Sequence, residues 1–300
     1  MDYRGTFAVE PGAKVRLAKT DPAYTGKHES HESAEPEIRQ YVERMDRLQY
    51  LLYADGNQSL LVVLQGLDAA GKDGVIRHVF SGMNPQGTFV HGFKQPSKCE
   101  AAHDFLWRAH LRTPAKGEVV IFNRSYYEDV LVVRVHKLTP HVVWSKRFDL
   151  INDFETMLVR NGTTILKFFL HVSPEEQLSR FKQRLEDPSR HWKIRESDYS
   201  ERELWPKYVD AYEDAIALTS TKHAPWYIIP SDHKWFRNLA VSQIIADTMD
   251  DMGLQLPPTH VDIDDIRRRF HAAEREEGNK KRRDKHTERQ ENNKQSEKSH

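Results

Sequence analysis

The chain has 300 residues, of which 38% are hydrophobic and 30% charged, the composition of a soluble globular protein with a polar surface. Lys and Arg together number 45, as do Asp and Glu, so bulk charge gives no argument for a nucleic-acid partner, and no apolar run approaches the length of a membrane span. The only cysteine, Cys99, excludes a disulfide framework within the chain and is expected to be a small buried residue; the first residues hold no apolar core of signal-peptide length, so we expect a cytoplasmic protein.

The N-terminal half begins with residues 1–32, which are polar and irregular and are predicted to form a solvated arm. Helical spacing of apolar residues from Glu35 to Tyr53 then predicts an amphipathic helix, with Pro36 in its first turn, where a helix tolerates proline. Strand-like runs alternate with helix-like runs from there on: SLLVVLQG, GTFVHGF, GEVVIFN, TTILKFFLHV and APWYIIPS. This alternation predicts an α/β fold of three layers, a doubly wound parallel sheet of five strands covered on both faces.

The predicted domain spans residues 33–256, and a C-terminal extension spans 257–300. The run DIDDIRRRF predicts one or two helical turns. From about residue 274 almost nothing is apolar, so the segment cannot bury enough surface to offset its ordering entropy and is predicted to be disordered. The acidic residues mixed through it argue against a basic tail that binds nucleic acid.

The first strand leads into a glycine-bounded loop in which Gly66, Gly71 and Lys72 match G-x-x-x-x-G-K, and a helix follows. Glycines let the backbone wrap an anion, and the loop N–H groups and helix N-terminus supply positive potential. The lysine adds a charge that can follow a transferred phosphoryl group. A plain glycine-rich turn is the alternative, because the usual Ser or Thr after the lysine is missing. The predicted phosphate or nucleotide ligands here are Gly66, Ala69, Ala70, Gly71, Lys72, Asp73 and Arg77.

Two carboxylates stand in and beside this loop, Asp68 and Asp73. A carboxylate inside a phosphate cradle repels phosphate unless a cation lies between them. Asp68 therefore either binds Mg²⁺, directly or through water, or forms a turn with its own loop. Asp73 either faces the same site or caps the following helix.

The third strand ends in Asn123 and Arg124, with Glu128 and Asp129 shortly after. Ligands bind at the carboxyl ends of strands in open α/β sheets, so this position suits a metal and phosphate site. Asn123 could ligate a metal or hold its water, and the planar fork of Arg124 suits phosphate oxygens. The alternative for Arg124 is a structural ion pair with Glu128 or Asp129.

Residues of about 180–207, within SRFKQRLEDPSRHWKIRESDYSERELWPKY, are predicted to form a basic helical lid that excludes water and brings cations to phosphate. An ordinary solvated helix pair is the alternative. Lys193 is a predicted ligand, and Trp192 and Trp205 are expected to pack and fix the shape of the lid. At the end of the second strand, Phe93 and Lys94 could hold the nucleobase and phosphate of an acceptor.

Taken together, GLDAAGKDG, FNRSYYEDV, FKQPSKCEAAHDFLWRAH and the lid segment resemble the family-2 polyphosphate kinases from about residue 35 to 252. These are P-loop proteins related in fold to nucleoside monophosphate kinases. The asparagine of NRSYYEDV, in place of an Asp-Arg-Ser-Trp-Tyr form, is similar to class III. That resemblance implies reversible, Mg²⁺-dependent transfer from inorganic polyphosphate to AMP and ADP, making ADP and ATP, with Mn²⁺ as an alternative metal.

The resemblance also implies roles for individual residues. Lys72 and the loop amides would bind the transferring phosphates, and Asp68 would coordinate Mg²⁺. Asn123 and Arg124 stand at the Walker B position as metal-site and phosphate ligands. Glu128 is similar to the class III acidic residue that holds an AMP acceptor or its metal, so the implied metal ligands are Asp68, Asn123 and Glu128.

Arg180 and Arg184 would be the lid cations. We expect a homo-oligomer, because relatives in this fold often pair, and neither a nucleic-acid nor a membrane partner. Two other functions use the same features: an ATP-dependent nucleoside monophosphate kinase, and a module that binds nucleic acid through its basic face. Asp68 argues against the second, because a carboxylate in the loop hinders anion binding without a metal.

Overall fold

The computed structural model describes the backbone of residues 1–297 and the side chains of residues 1–285. The strands are β1 (Ser59–Gln65), β2 (Thr88–Gly92), β3 (Val119–Asn123), β4 (Thr163–His171) and β5 (Trp226–Pro230). The helices are α1 (Tyr3–Phe7), α2 (His31–Asp55), α3 (Lys72–Val79), α4 (Lys98–Ala101), α5 (Trp107–His110), α6 (Val132–Val135), α7 (His141–Trp144), α8 (Arg147–Arg160), α9 (Pro174–Glu186), α10 (Ser197–Glu203), α11 (Trp205–Thr219), α12 (Lys234–Asp251) and α13 (Ile263–Glu297). Short 3-10 helices cover Leu17–Lys19, Tyr126–Asp129 and Pro188–Lys193.

The five strands form one parallel sheet in the order β2-β3-β1-β4-β5, which confirms the predicted doubly wound α/β fold. In its register Leu64 at the end of β1 pairs with Asn123 at the end of β3. The carboxyl ends of these two central strands therefore open at the same edge of the sheet, where ligands bind in this architecture.

Alternation along β1 builds two cores. Leu60, Val62 and Leu64 face a cluster with Met45 of α2 and Leu239 of α12, among others. The intervening Leu61 and Val63 face the other side, with residues of α8 and α11. Every residue of β1 is buried, because both faces of the sheet are covered, and this explains why the strand reads as a continuous apolar run.

The N-terminal arm packs against the domain, so the prediction of a solvated arm is wrong. Tyr3 is 0% exposed and Leu17 is 1% exposed, and Ala8 forms an antiparallel bridge with Tyr227. The apolar residues of the arm are few and follow no period, so no helix or strand pattern reveals that they are buried. Cys99 is exposed, contrary to expectation.

The chain divides into two units, Met1–Leu256 and the residues from Pro257 onward. Within the second unit, the predicted disorder from about residue 274 differs from the structure, in which α13 runs to Glu297; residues 298–300 lie outside the described part. Local ion pairs at helical spacing, such as Arg267 with Asp264 and Arg269 with Asp265, support this helix without a core. Among the described helices, none is long and apolar enough to cross a membrane.

Candidate active site

The loop between β1 and α3 has the backbone of an anion cradle. Gly66 has φ 151°, and a Cβ there would lie 2.9 Å from the carbonyl oxygen of Leu170. Gly71 has φ 107° and is the N-cap of α3, where a Cβ would overlap Nη1 of Arg237. A side chain fits at neither position, because positive φ and close neighbours both oppose it. The glycines thus let the chain turn tightly between strand and helix.

Lys72 is buried at the first position of α3, and its Nζ donates to the carbonyl oxygens of Gly66 at 2.7 Å and Leu67 at 3.3 Å. Burial, and secondly the charge of Arg124, lower the pKa of this lysine to about 8. Its ammonium is therefore held by the loop itself, within reach of any anion that enters the cradle.

Asp68 and Arg124 form an ion pair across the site, with Nη2 of Arg124 2.7 Å from Oδ1 of Asp68. Arg124 directly follows β3 and has φ 62°, a left-handed conformation that non-glycine residues seldom adopt. The alternative predicted for Arg124 was a structural ion pair with Glu128 or Asp129, but its carboxylate partner in the structure is Asp68. Asp129 instead lies 3.2 Å from Arg147.

Asn123, the last residue of β3, contacts Asp73 in the first turn of α3. The side-chain amide of Asn123 donates to Oδ1 of Asp73 at 2.8 Å, and Nζ of Lys193 lies 3.9 Å from Oδ2. The N-cap of α3 is Gly71 and it has no side-chain capping bond, so the alternative in which Asp73 caps the helix is wrong. The side chain of Asp73 faces the site.

Glu128 lies in the 3-10 turn after β3, and its Oε1 accepts a hydrogen bond from Nε2 of Gln65 at 3.0 Å. Gln65 is fully buried and does not line the site itself, but it supports Glu128, a contact that the sequence reasoning missed. The signal for it was a polar residue that ends an otherwise apolar strand, next to the first glycine of the loop.

The predicted metal ligands all carry oxygen atoms and line the same cleft. Among the described residues, no three Asp, Glu, His or Cys side chains are grouped so that they could hold a metal ion. Mg²⁺ does not need such a cage, because it usually takes one or two carboxylates and completes its shell with substrate phosphates and water. Asp68, Asn123 and Glu128 offer oxygen ligands of the kind that Mg²⁺ takes.

These residues surround what we call the first cleft, with a volume of about 740 Å³. It brings together most of the predicted site: Gly66, Asp68, Ala69, Gly71, Lys72, Asp73, Phe93, Lys94, Asn123, Arg124, Glu128, Arg184 and Lys193. Phe93 is only 6% exposed and packs on Phe122, with its ring centroid 4.7 Å away, so it belongs mainly to the core.

A second cleft of about 770 Å³ shares Ala69, Gly71, Gly74 and the lid residues Arg184, Trp192 and Lys193 with the first. The cations that line it are Arg77, Arg180, Arg184, Arg190, Lys193, Lys234 and Arg237. No Asp or Glu of the described chain lines this cleft. The loop therefore stands between a cleft of mixed charge and one of purely positive charge.

Arg180 is placed differently from the predicted lid cation. Its Nε donates to Glu176, its Nη1 to the carbonyl oxygens of Ala69 and Ala70, and its Nη2 to those of Ser231 and Asp232. All N–H groups of this guanidinium thus have acceptors within the protein. Arg180 therefore holds the backbone of the loop in place. Arg184 lines both clefts and remains the predicted lid cation.

Arg237 is a second residue that the sequence reasoning missed. It is 2% exposed, lies against Gly71 and Gly74, and has no ion pair within the part of the chain that the structure describes. Burial, and secondly the charge of Arg180, lower its pKa to about 9. Its Nε and Nη2 donate to Oδ1 of the neighbouring Asn238, and no local pattern marked it, because Arg237 lies near the polar start of α12, between Lys234 and Asn238.

The lid tryptophans differ in role. Trp205 packs against the core, as expected, but Trp192 is 78% exposed and lines both clefts, so the prediction that it packs within the lid is wrong. Nζ of Lys193 lies 5.0 Å from the centre of its ring.

Comparison with known proteins adds to this geometry. The family model for polyphosphate kinase 2 (PPK2) matches residues 28–257. The chain is 49% identical over 252 residues to the AMP/ADP-polyphosphate phosphotransferase of Meiothermus ruber, covering 84% of this chain and 94% of that one. It is 46% identical over 269 residues to the ADP-polyphosphate phosphotransferase of Rhodopseudomonas palustris, covering 84% and 92%. The crystal structure of polyphosphate kinase 2 from Arthrobacter aurescens TC1 superposes with a TM-score of 0.87 at 38% identity, covering 91% and 97%.

Proposed function

Since this chain belongs to the polyphosphate kinase 2 family, we propose that it transfers phosphoryl groups from inorganic polyphosphate to AMP and ADP, making ADP and ATP, and that the transfer is reversible. The observation that carries the proposal is the pair of clefts on either side of one phosphate loop. Inorganic polyphosphate has no base or sugar, so cations alone can bind it, and the second cleft offers only cations among its charged residues. The first cleft, with carboxylates beside Lys72 and Arg124, suits a nucleotide and its metal.

The acceptor atom in this reaction is a phosphate oxygen of AMP or ADP, which is largely ionised at neutral pH. No strong general base is needed, so catalysis reduces to positioning and charge neutralisation. Bringing two polyanions end to end costs Coulomb repulsion. Lys72 and Arg124, with Arg184 and Lys193 of the lid, offset that repulsion around the loop that both clefts share.

Mg²⁺, or Mn²⁺ in its place, would be held by Asp68 with Asn123 and Glu128 nearby, and would neutralise charge on the transferring phosphoryl group. The residues themselves exchange partners when phosphate binds. Lys72 now donates to Gly66 and Leu67, and Arg124 to Asp68; each can trade these oxygens for those of phosphate without leaving the site.

The first experiment mixes the purified protein with AMP, Mg²⁺ and long-chain polyphosphate, without ATP, and follows the nucleotides by chromatography. ADP followed by ATP supports the proposal for both acceptors. Conversion of ADP but not AMP would restrict the activity to ADP. Turnover only when ATP is supplied with a monophosphate would instead identify a nucleoside monophosphate kinase.

A matched pair of variants tests the assignment of the two clefts. Arg77 lines only the second cleft and Lys94 only the first. Arg77→Ala should raise KM for polyphosphate and leave KM for the nucleotide unchanged, and Lys94→Ala should do the reverse. Equal effects of both variants on both substrates would contradict the assignment.

The cellular setting remains a prediction. We propose a cytoplasmic homo-oligomer that binds no nucleic acid. Size-exclusion chromatography with light scattering tests the oligomer, and a salt-dependent binding titration with duplex DNA tests the absence of a nucleic-acid partner.

A further inference from the structure

A buried polar cluster lies on the core side of the turn that carries Arg124 and Glu128, and none of its residues lines either cleft. Tyr126 and Tyr127 of this turn, Glu155 of α8 and Lys167 of β4 are all 0% exposed. They lie among apolar side chains such as Phe154 and Ile216.

Every polar group at the centre of this cluster has a partner. The hydroxyls of Tyr126 and Tyr127 lie 2.8 Å and 2.9 Å from Oε1 of Glu155, to which both can donate. Nζ of Lys167 donates to Oε2 of Glu155 at 2.5 Å, to the Tyr127 hydroxyl at 3.1 Å and to the carbonyl oxygen of Thr219 at 2.7 Å. The three N–H groups of the ammonium are thus used, and the Tyr127 hydroxyl can both donate and accept.

A buried ion pair of this kind is weak evidence for a contribution to stability. Desolvating two charges can cost as much as their attraction returns, so apolar residues of similar volume often replace a buried ion pair without loss of stability. Directional hydrogen bonds do fix side-chain orientation, however, when every member is satisfied. The cluster then serves to fix the orientation of the two tyrosines, and through them the positions of the residues next to them in the chain.

Those neighbours belong to the phosphate site. Arg124 precedes the tyrosines and Glu128 follows them, and both line the first cleft. The left-handed conformation of Arg124, with φ 62°, persists only where the surroundings hold it. Ser125, between Arg124 and the tyrosines, is fully buried and accepts from the backbone N–H of Tyr127. The turn is therefore anchored from the core while its two ionic side chains face the cleft.

We propose that Glu155 and Lys167 are positioning residues for phosphoryl transfer, which hold Arg124 and Glu128 at the phosphate site by fixing Tyr126 and Tyr127. The consequence for the rate rests on the proposed function, but the consequence for the order of the turn does not.

Two variants test this. Tyr127→Phe removes one hydroxyl and leaves Glu155 and Lys167 each with one partner fewer, and the double variant Glu155→Leu with Lys167→Met removes both charges at similar volume. We expect kcat to fall by about tenfold to a hundredfold in each, the cost of misplacing a catalytic group by about 1 Å. Tyr3→Phe is the matched control, because the buried hydroxyl of Tyr3 has no partner within the described residues, and it should leave kcat unchanged.

Two further measurements separate positioning from general destabilisation. In a background that carries both Arg124→Ala and Glu128→Ala, Tyr127→Phe should lower kcat by much less than it does alone, because a residue that acts through those two groups is not additive with their loss. Amide hydrogen exchange should accelerate in residues 124–130 and stay unchanged in β1. That second measurement needs no activity, so it decides the proposal even if polyphosphate is not the donor.

Unchanged exchange in the turn, or exchange that rises equally in β1, would overturn the proposal. Additive losses in the background that lacks both Arg124 and Glu128 would overturn it as well. Should the double variant fail to fold, Tyr127→Phe alone decides between these outcomes.

Discussion

Lys72 and Arg124 are cations whose present partners are groups of the loop itself. Both sit where parallel strands end, and both have acceptors that phosphate oxygens can replace. Asp68 accepts the hydrogen bond of Arg124, and its carboxylate is the group proposed to hold the metal. Individual charges therefore account for the proposed chemistry.

Replacing these charges should remove most phosphoryl transfer. We expect Lys72→Ala, Asp68→Asn and Arg124→Ala each to lower kcat by roughly a hundredfold or more under saturating Mg²⁺, as loss of a comparable electrostatic contact does. Circular dichroism should show an unchanged fold. Lys116→Ala is the control, because Lys116 is exposed and precedes β3, at the opposite edge of the sheet. Near-normal turnover in any site variant would remove that residue from the mechanism.

The lowered pKa of Lys72 predicts an alkaline limit to activity. Below its pKa of about 8 the ammonium is charged and can bind phosphate, and above it the neutral amine cannot. We expect kcat/KM to fall as pH rises through about 8, since kcat/KM reports the free enzyme. Lys72→Arg stays charged, so whatever activity it retains should lack this decline. A wild-type profile that stays flat well above that pH would contradict the prediction.

At the scale of elements, the lid presents an exposed aromatic ring to the clefts. Trp192 has little contact with the protein, so covering it with substrate would bury apolar surface. Trp192→Ala should raise KM for at least one substrate by about tenfold, equivalent to about 1.4 kcal/mol, with no change in thermal stability. Tyr50→Ala is the control, because Tyr50 is 63% exposed near the end of α2 and lines neither cleft. Equal KM values in wild type and Trp192→Ala would show that substrate leaves this ring uncovered.

The N-terminal arm acts as a structural element of the domain. Leu17 is 1% exposed, and its backbone N–H donates to Glu213 at 2.8 Å. Leu17→Ala should lower the free energy of unfolding by about 2–5 kcal/mol through lost burial and a cavity. Leu138→Ala, at a site 66% exposed, should change it by less than about 0.5 kcal/mol. Denaturant titration of both variants measures the difference, and similar values would mean that the arm is dispensable to the core.

At the scale of the whole molecule, equal numbers of acidic and basic residues conceal a strong separation of charge. The second cleft gathers cations from α3, α9, the lid and α12, elements far apart in sequence. A polyanion can therefore be attracted to one place on a protein with no net charge.

The unit from Met1 to Leu256 should be sufficient for this activity. It contains both cores and both clefts, and the family match ends at residue 257. A chain truncated after Leu256 should keep kcat and both KM values within about twofold, with an unchanged unfolding temperature, because domains with their own core fold alone. Loss of activity with the fold retained would assign a function to the C-terminal extension.

Much of the fold and part of the site follow from local patterns. The five strands, the glycine loop ending in Lys72, and the polar residues at the end of β3 are each written in a few consecutive residues. Parallel pairing of β1 with β3 then brings Asp68, Asn123 and Arg124 together without further information. In these features the residues that lie close in space are also close in sequence, because each strand, turn and helix is a continuous segment of the chain.

What the tertiary structure alone decided concerns groups that meet across long separations. Arg180 and Arg184 share a helix and a residue type, yet Arg180 is saturated by carbonyl oxygens of two distant loops while Arg184 faces both clefts. Arg237 lies against Gly71 and Lys167 against Tyr127, and these contacts too join residues that are far apart in sequence. The sequence by itself determined the five strands, the phosphate loop and the candidate charged residues. Which of those charges remain available to substrate was decided only by the tertiary structure, because folding places hydrogen-bond acceptors around some of them and not others.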